Sequence, residues 1–344
     1  MPVPLLAVCL KVKCIVEWYS KRTLFFEKKE FLINEIDASS TFGSLFERKM
    51  YSGMVFEAKL KLFFEKKEFL INEIEGGLNM LNDYIVLITG ATSGIGLATT
   101  KEFLDQGATV IGIGRNFSRT KDLGANFLPF KCDVTDEEQI KAAVAFAKEK
   151  FGRLDSLICN AGSAIVGTVE DVDSGEFERA FQLYVLHAAM FTKYCVPLLR
   201  KSQNPSITHT ASVASFMIGD SVPYNVLKAA LLNYTRQSAA ALLNNNPADM
   251  FGRPKVVTEI DEGDNTFIRV NAVCPGLIRT NLMPDQAWEM LGTEAALKAI
   301  PSRRIGEDWE PAKLFAFLAS AKAGFISGAT ITIDGGWYTT HARV

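Results

Sequence analysis

The chain has 344 residues, 48% of them hydrophobic, enough to bury a large core in one large domain or two ordinary ones. Its formal charge of −2 comes from dispersed acidic and basic residues, leaving no basic footprint for nucleic acid or an anionic membrane and favouring a small-molecule partner. Cys9, Cys14, Cys132, Cys159, Cys195 and Cys274 form no CxxC pair, so a reducing compartment and no metal are expected.

The apolar start, residues 3–10, is short, lacks a preceding positive charge and is followed by no small-residue cleavage site. No apolar run approaches the roughly 20 residues of a membrane-spanning helix, and a cytoplasmic location is expected. Next comes an unchanged duplication: LFFEKKEFLINEI stands at Leu24–Ile36 and again at Leu62–Ile74. Each copy has the pattern of an amphipathic helix, but two copies are too few for a solenoid. Residues 1–80 therefore read as an N-terminal extension, either an arm that docks a partner or a dispensable addition.

From about Leu81 strand-like runs alternate with amphipathic helices, the signature of a parallel sheet covered on both faces. The runs begin at Tyr84, Ala108, Phe127, Leu154, Ser206, Phe267 and Ala329, giving seven strands in one α/β domain over residues 81–344. Helices are expected over Asp136 to Phe151, Ser174 to Lys201 and Tyr224 to Leu243. Asn244 to Thr266 is polar and rich in turn residues, so it reads as a surface loop away from the site.

ITGATSGIG follows the first strand and opens a helix. Gly90, Ser93, Gly94, Ile95 and Gly96 thus lie where a dinucleotide's pyrophosphate would meet backbone N–H groups at a positive helix terminus. The second strand ends in Gly114 and Arg115, where an NAD site would present a carboxylate to the adenosine ribose. A guanidinium cannot accept hydroxyl protons but can grip a 2′-phosphate, so the expected cofactor is NADP(H). In SVPYNVLKAAL, Tyr224 and Lys228 are four apart and share one helix face. The lysine charge would favour the phenolate and lower a phenol pKa ordinarily near 10.

TGATSGIG, CDVTD, CNAG, Ser212 with YNVLK, NAVCPGLIRT and GATITIDGG stand in the order and approximate spacing of the short-chain dehydrogenase/reductase family, which the chain resembles from about Leu81 onward. The resemblance implies a doubly wound Rossmann sheet and hydride transfer between NADP(H) and a small-molecule carbonyl or alcohol. It implies that Tyr224 is the general acid/base, that Lys228 lowers its pKa and holds the nicotinamide ribose, and that Ser212 orients the substrate oxygen. Asp133 and Val134 correspond to the adenine contacts, and Asn160, Ala161 and Gly162 to the turn beside the cofactor. Ile278 and Thr280 correspond to the carboxamide segment, shaped by Pro275 and Gly276. A homodimer or homotetramer is also implied, with the second and third of the helices above as interface.

The sequence departs from the family at two points. Tyr184 stands where an asparagine is usual, placing proton-relay geometry in doubt, and the Ser212 to Tyr224 spacing is one residue short. His187, one turn on, is either a substitute proton carrier or a packed core residue. Tyr184 and the N-terminal repeat motivate an alternative reading, a catalytically impaired dinucleotide sensor or scaffold. The apolar segments before Tyr224 and after Thr280, the latter with Leu282, Met283, Trp288, Met290 and Leu291, point either to a bulky apolar substrate or to a packed lid helix.

Overall fold

The computed structural model describes residues 80–218, 221–242, 267–281, 286, 288–289 and 293–341. The duplicated segments, the polar insertion and Leu282, Met283, Met290 and Leu291 lie outside the described residues.

The first strand, β1 (Ile85–Thr89), is the apolar run IVLIT and is buried along its whole length. It is followed by α1 (Gly94–Asp105), β2 (Thr109–Gly114), β3 (Phe127–Lys131), α2 (Glu137–Phe151) and β4 (Ser156–Cys159). The chain continues through α3 (Ser174–Phe181), a π-helical turn (Gln182–Leu186), α4 (His187–Leu199), β5 (Ser206–Thr210), α5 (Val222–Ala241) and β6 (Arg269–Pro275). The short β7 (Ile278–Arg279), α6 (Glu294–Leu297), β8 (Gly306–Glu307), α7 (Trp309–Ala319), β9 (Thr330–Ile333) and α8 (Trp337–His341) complete it.

Seven strands pair in parallel in the order β3-β2-β1-β4-β5-β6-β9, while β7 and β8 form a separate parallel pair. Burial of β1, β4, β5 and β6 from end to end follows from helices on both faces; β1 accordingly reads as a continuous apolar run, whereas β5 (SITHT) and β6 (RVNAVCP) bury polar side chains as well. One face packs Ile140, Phe191 and Leu231 from α2, α4 and α5; the other packs Phe103 and Phe315 from α1 and α7. Truncating one of these phenylalanines to alanine costs about 3–5 kcal/mol.

Local signals explain the helix ends. Asp136 caps α2 by accepting from the N–H groups of Glu138 and Gln139; Glu137 and Glu138 lie in the first turn, Lys148 and Lys150 in the last, and Gly152 closes it at φ 69°. The single helix expected over Ser174 to Lys201 is instead divided: the N–H of His187 reaches the carbonyl of Gln182, inserting a π turn between α3 and α4. Hydrophobic periodicity carries no mark of that one-residue change in hydrogen-bond span. Among the described residues no helix is long and apolar enough to cross a membrane.

Candidate active site

Because the strands are parallel, the residues just beyond their C-terminal ends gather along one edge, and the order reverses direction between β1 and β4, where a crevice forms. Gly90 follows β1 and Asn160 follows β4, so the glycine turn and the CNAG turn meet there. The Thr89 hydroxyl accepts from the N–H of Asn160 at 2.9 Å and of Ala161 at 3.0 Å, while the Asn160 amide donates to the carbonyls of Thr89 and Gly90. Two successive turns are thereby tied into one surface.

The glycines are required by close approach. Gly90 sits at φ +66°, and a Cβ there would lie 2.9 Å from the Ala161 Cα. A Cβ on Gly96 would lie 2.5 Å from Asn160 Nδ2 and still nearer the Gly90 carbonyl oxygen. Gly94, at φ +48°, faces Thr280, where a Cβ would stand 3.1 Å from the threonine Cβ. Ser93 has the extended conformation of an N-cap but makes no side-chain cap bond, so the first N–H groups of α1, including those of Gly94, Ile95 and Gly96, keep the anion-accepting character of a helix start. This cradle fits a dinucleotide pyrophosphate.

Arg115 follows β2 and is exposed, with its guanidinium 4.0 Å from the carboxylate of Asp133 beyond β3. Hydrogen bonds from Thr135 lead in holding the Asp133 carboxyl below its usual range, with Arg115 contributing less. Val134 is buried beside it. Pro275 ends β6, Gly276 packs against Asp334, and Ile278 lies in β7, so the carboxamide candidates border the same edge. Trp288 is 5% exposed and donates its indole N–H to the Thr280 carbonyl at 2.9 Å.

Ser212, two residues past β5, begins a 3-10 turn and accepts from the N–H of Ala214 at 3.2 Å. Tyr224 lies in the first turn of α5 and Lys228 one turn later. The Lys228 ammonium donates to the Thr210 carbonyl at 2.7 Å and stands 5.7 Å from the Tyr224 ring centroid. Burial raises the Tyr224 phenol pKa, opposed by a hydrogen bond from the Ser212 hydroxyl, and burial brings Lys228 down to about 8. This differs in sign from the sequence expectation for the phenol: enclosure leads the shift and Ser212 is what opposes it, a balance that four-residue spacing does not encode. His187 is buried and pushed down to about 3, first by burial and then by the Lys228 charge, so it is a neutral packed ring at neutral pH.

Three contributors gave no signal in the sequence. Thr89 bridges the two turns, the Thr210 carbonyl seats Lys228, and the Arg119 guanidinium meets the Asn281 amide, joining the segment after β2 to that after β7. Two of these act through ordinary strand-end residues, one of them by its backbone alone.

A doubly wound sheet with a glycine turn and a Ser, Tyr and Lys cluster at its switch point defines a class of nicotinamide-dinucleotide oxidoreductases. The chain belongs to the short-chain dehydrogenase/reductase family: residues 84–246 match the short chain dehydrogenase model and residues 262–338 the enoyl-(acyl carrier protein) reductase model. It is 31% identical over 267 residues to the 3-oxoacyl-(acyl-carrier-protein) reductase FabG of Thermotoga maritima, covering 74% of this chain and 98% of that protein. It is likewise 31% identical over 268 residues to dehydrogenase/reductase SDR family member 4 of Bos taurus, covering 75% of this chain and 88% of the relative. Among solved structures, the ligand-free aldohexose dehydrogenase of Thermoplasma acidophilum superposes with a TM-score of 0.63 at 29% identity, covering 76% of this chain and 96% of that one.

Proposed function

We propose that the protein is an NADP(H)-dependent oxidoreductase that interconverts a ketone or aldehyde with an alcohol, Tyr224 acting as general acid/base. The observation that carries this reading is the convergence of Ser212, just past β5, with Tyr224 and Lys228 of α5 beside the glycine cradle, the lysine one helical turn from the tyrosine and its ammonium 5.7 Å from the phenol ring centroid. The relatives' names describe a 3-oxoacyl reductase and an aldohexose dehydrogenase, both carbonyl or alcohol chemistries.

When bound, the nicotinamide supplies the hydride for reduction or accepts it in oxidation. Gly90 and Ser93 through Gly96 hold the pyrophosphate, Arg115 the 2′-phosphate, and Asp133 with Val134 the adenine. Asn160 to Gly162 line the adjoining turn, and Pro275, Gly276, Ile278 and Thr280 hold the carboxamide. Lys228 engages the nicotinamide ribose. A phenol held above its ordinary pKa is protonated at neutral pH, so Tyr224 gives its proton to the oxygen of a carbonyl substrate, which Ser212 orients by a hydrogen bond.

The substrate class is bulky and apolar. Phe216, in the segment leading to Tyr224, stacks on Tyr338 of α8 with centroids 4.8 Å apart, and Ile218 beside it is fully exposed. Such a wall favours hydrophobic ligands with few polar groups. NADPH oxidation across a ketone panel tests both parts. Turnover, with higher kcat/KM for cyclic or aromatic ketones than for a small polar carbonyl, is expected. The opposite order rules out the substrate class, and binding of NADPH with no turnover on any carbonyl favours a non-catalytic sensor.

A further inference from the structure

We propose that Tyr184 is a positioning residue whose ring face holds the Lys228 ammonium charged and in place beneath Tyr224. The inference rests on the active-site reading above. It begins from the π turn, a rare feature that is frequent at functional sites. The turn carries Tyr184 into the protein with only 1% of its surface exposed.

Three contacts fix the ring. Its hydroxyl donates to the Ser163 carbonyl, just past the CNAG turn. It meets the Tyr224 ring edge to face, with centroids 5.5 Å apart and planes at 88°. The Lys228 Nζ lies 4.8 Å from its centroid, closer than the 5.7 Å to Tyr224. A cation within about 6 Å of an aromatic face is attracted by the ring quadrupole, most strongly where water is excluded. Lys228 is 5% exposed, and its protein hydrogen-bond acceptor is the Thr210 carbonyl, which fixes its position without neutralising it.

Burial opposes the charge, with Cys274 acting against that shift. The titratable groups facing the ammonium are Tyr224 on its own helix, Tyr184, His187 of α4, His209 of β5 and Cys274 of β6. Both histidines are held neutral by burial, and burial keeps the Cys274 thiol and the Tyr184 phenol protonated. No carboxylate balances the lysine in this set. The negative face of the Tyr184 ring therefore supplies the counter-field. Tyr184 itself moves no proton, because its phenol stays protonated and bound to Ser163.

The test compares phenylalanine and 3,4,5-trifluorophenylalanine at position 184, rings of nearly equal size that differ in the charge of the face. Lys228 is titrated by NMR of the ligand-free full chain labelled at lysine Cε, its signal assigned by its loss in Lys228→Met. With Tyr184→Phe the midpoint should stay near that of the natural protein, about 8. With the fluorinated ring the proton affinity should fall roughly 2- to 30-fold, the range expected for a cation–π contact. Equal midpoints for the two rings would overturn the proposal, and a merely structural role for Tyr184 predicts that equality. Tyr224→Phe, assayed with NADPH and the ketone panel, separates the two levels: retained turnover defeats the active-site reading and leaves the lysine titration unaffected, whereas lost turnover with equal midpoints defeats only the role of Tyr184.

Discussion

Gly96 and Gly162 lie in the same site, and an added methyl group should affect them differently. In Gly96→Ala the new Cβ would stand 2.8 Å from the Gly90 carbonyl carbon and 2.5 Å from Asn160 Nδ2. It would also overlap the Gly90 carbonyl oxygen, nearer still; ordinary contact begins near 3.4 Å, so the turn after β1 must retreat by more than an ångström. It has little room, because Gly90 is itself backed against the Ala161 main chain and held by the Asn160 amide. Overpacking of this kind costs about 1–3 kcal/mol, offset by up to about 1 kcal/mol of helix propensity. The net loss, up to about 3 kcal/mol, lowers Tm by as much as roughly 6–12 °C for a domain of this size. The displaced N–H groups should also weaken dinucleotide binding at least about tenfold, since a preformed anion site depends on their alignment. At Gly162 the added Cβ would meet Tyr184 Cε1 at 3.6 Å and the Asn160 carbonyl oxygen at 3.8 Å, both ordinary contacts, so Gly162→Ala should be nearly neutral in both respects. Thermal denaturation and fluorescence titration with NADPH measure the two effects. Natural cofactor affinity in Gly96→Ala, or equal losses in both variants, refutes the reasoning.

Arg115→Asp should invert the preference of NADPH over NADH, because a carboxylate repels a 2′-phosphate and accepts ribose hydroxyl protons; an unchanged ratio of the two kcat/KM values contradicts the role of Arg115. Removing residues 1–78 should leave a folded, active enzyme, since the family match begins at residue 84 and β1 at Ile85; inactivity or aggregation would make the extension a structural element. Light scattering should give a homodimer or homotetramer, as the family resemblance implies; on the expected interface, exposed Phe181 and Leu186 border a hollow of about 620 Å³ lined also by Phe177 and Leu227. A monomer in solution contradicts that interface.

The sheet was legible because strands rich in β-branched residues, β1 as an unbroken apolar run and β5 and β6 with polar residues among them, alternate with amphipathic helices and turn residues. The glycine turn and the Tyr224 and Lys228 pair were legible because a tight turn and a shared helix face demand fixed spacing. What stayed hidden acts through atoms that composition does not describe. The Thr210 carbonyl could belong to any residue, and the π turn before His187 alters hydrogen-bond span without altering hydrophobic period. Tyr184 reads in sequence as a lost asparagine, whereas in space its ring faces the ammonium of Lys228. Burial also sets the sign of the Tyr224 shift, and burial belongs to the whole fold and not to its helix.

The central claim is that Tyr224 moves the proton on the substrate oxygen, and Tyr224→Phe tests it most directly. Removing one hydroxyl keeps the ring that packs edge to face on Tyr184, so the fold and the cofactor cradle should persist. Single-turnover NADPH oxidation with the best ketone of the panel, read beside NADPH binding, should show affinity retained within a few-fold and a rate reduced roughly 100- to 10,000-fold, the range for loss of a general acid/base. A rate within a few-fold of the natural enzyme would contradict the account.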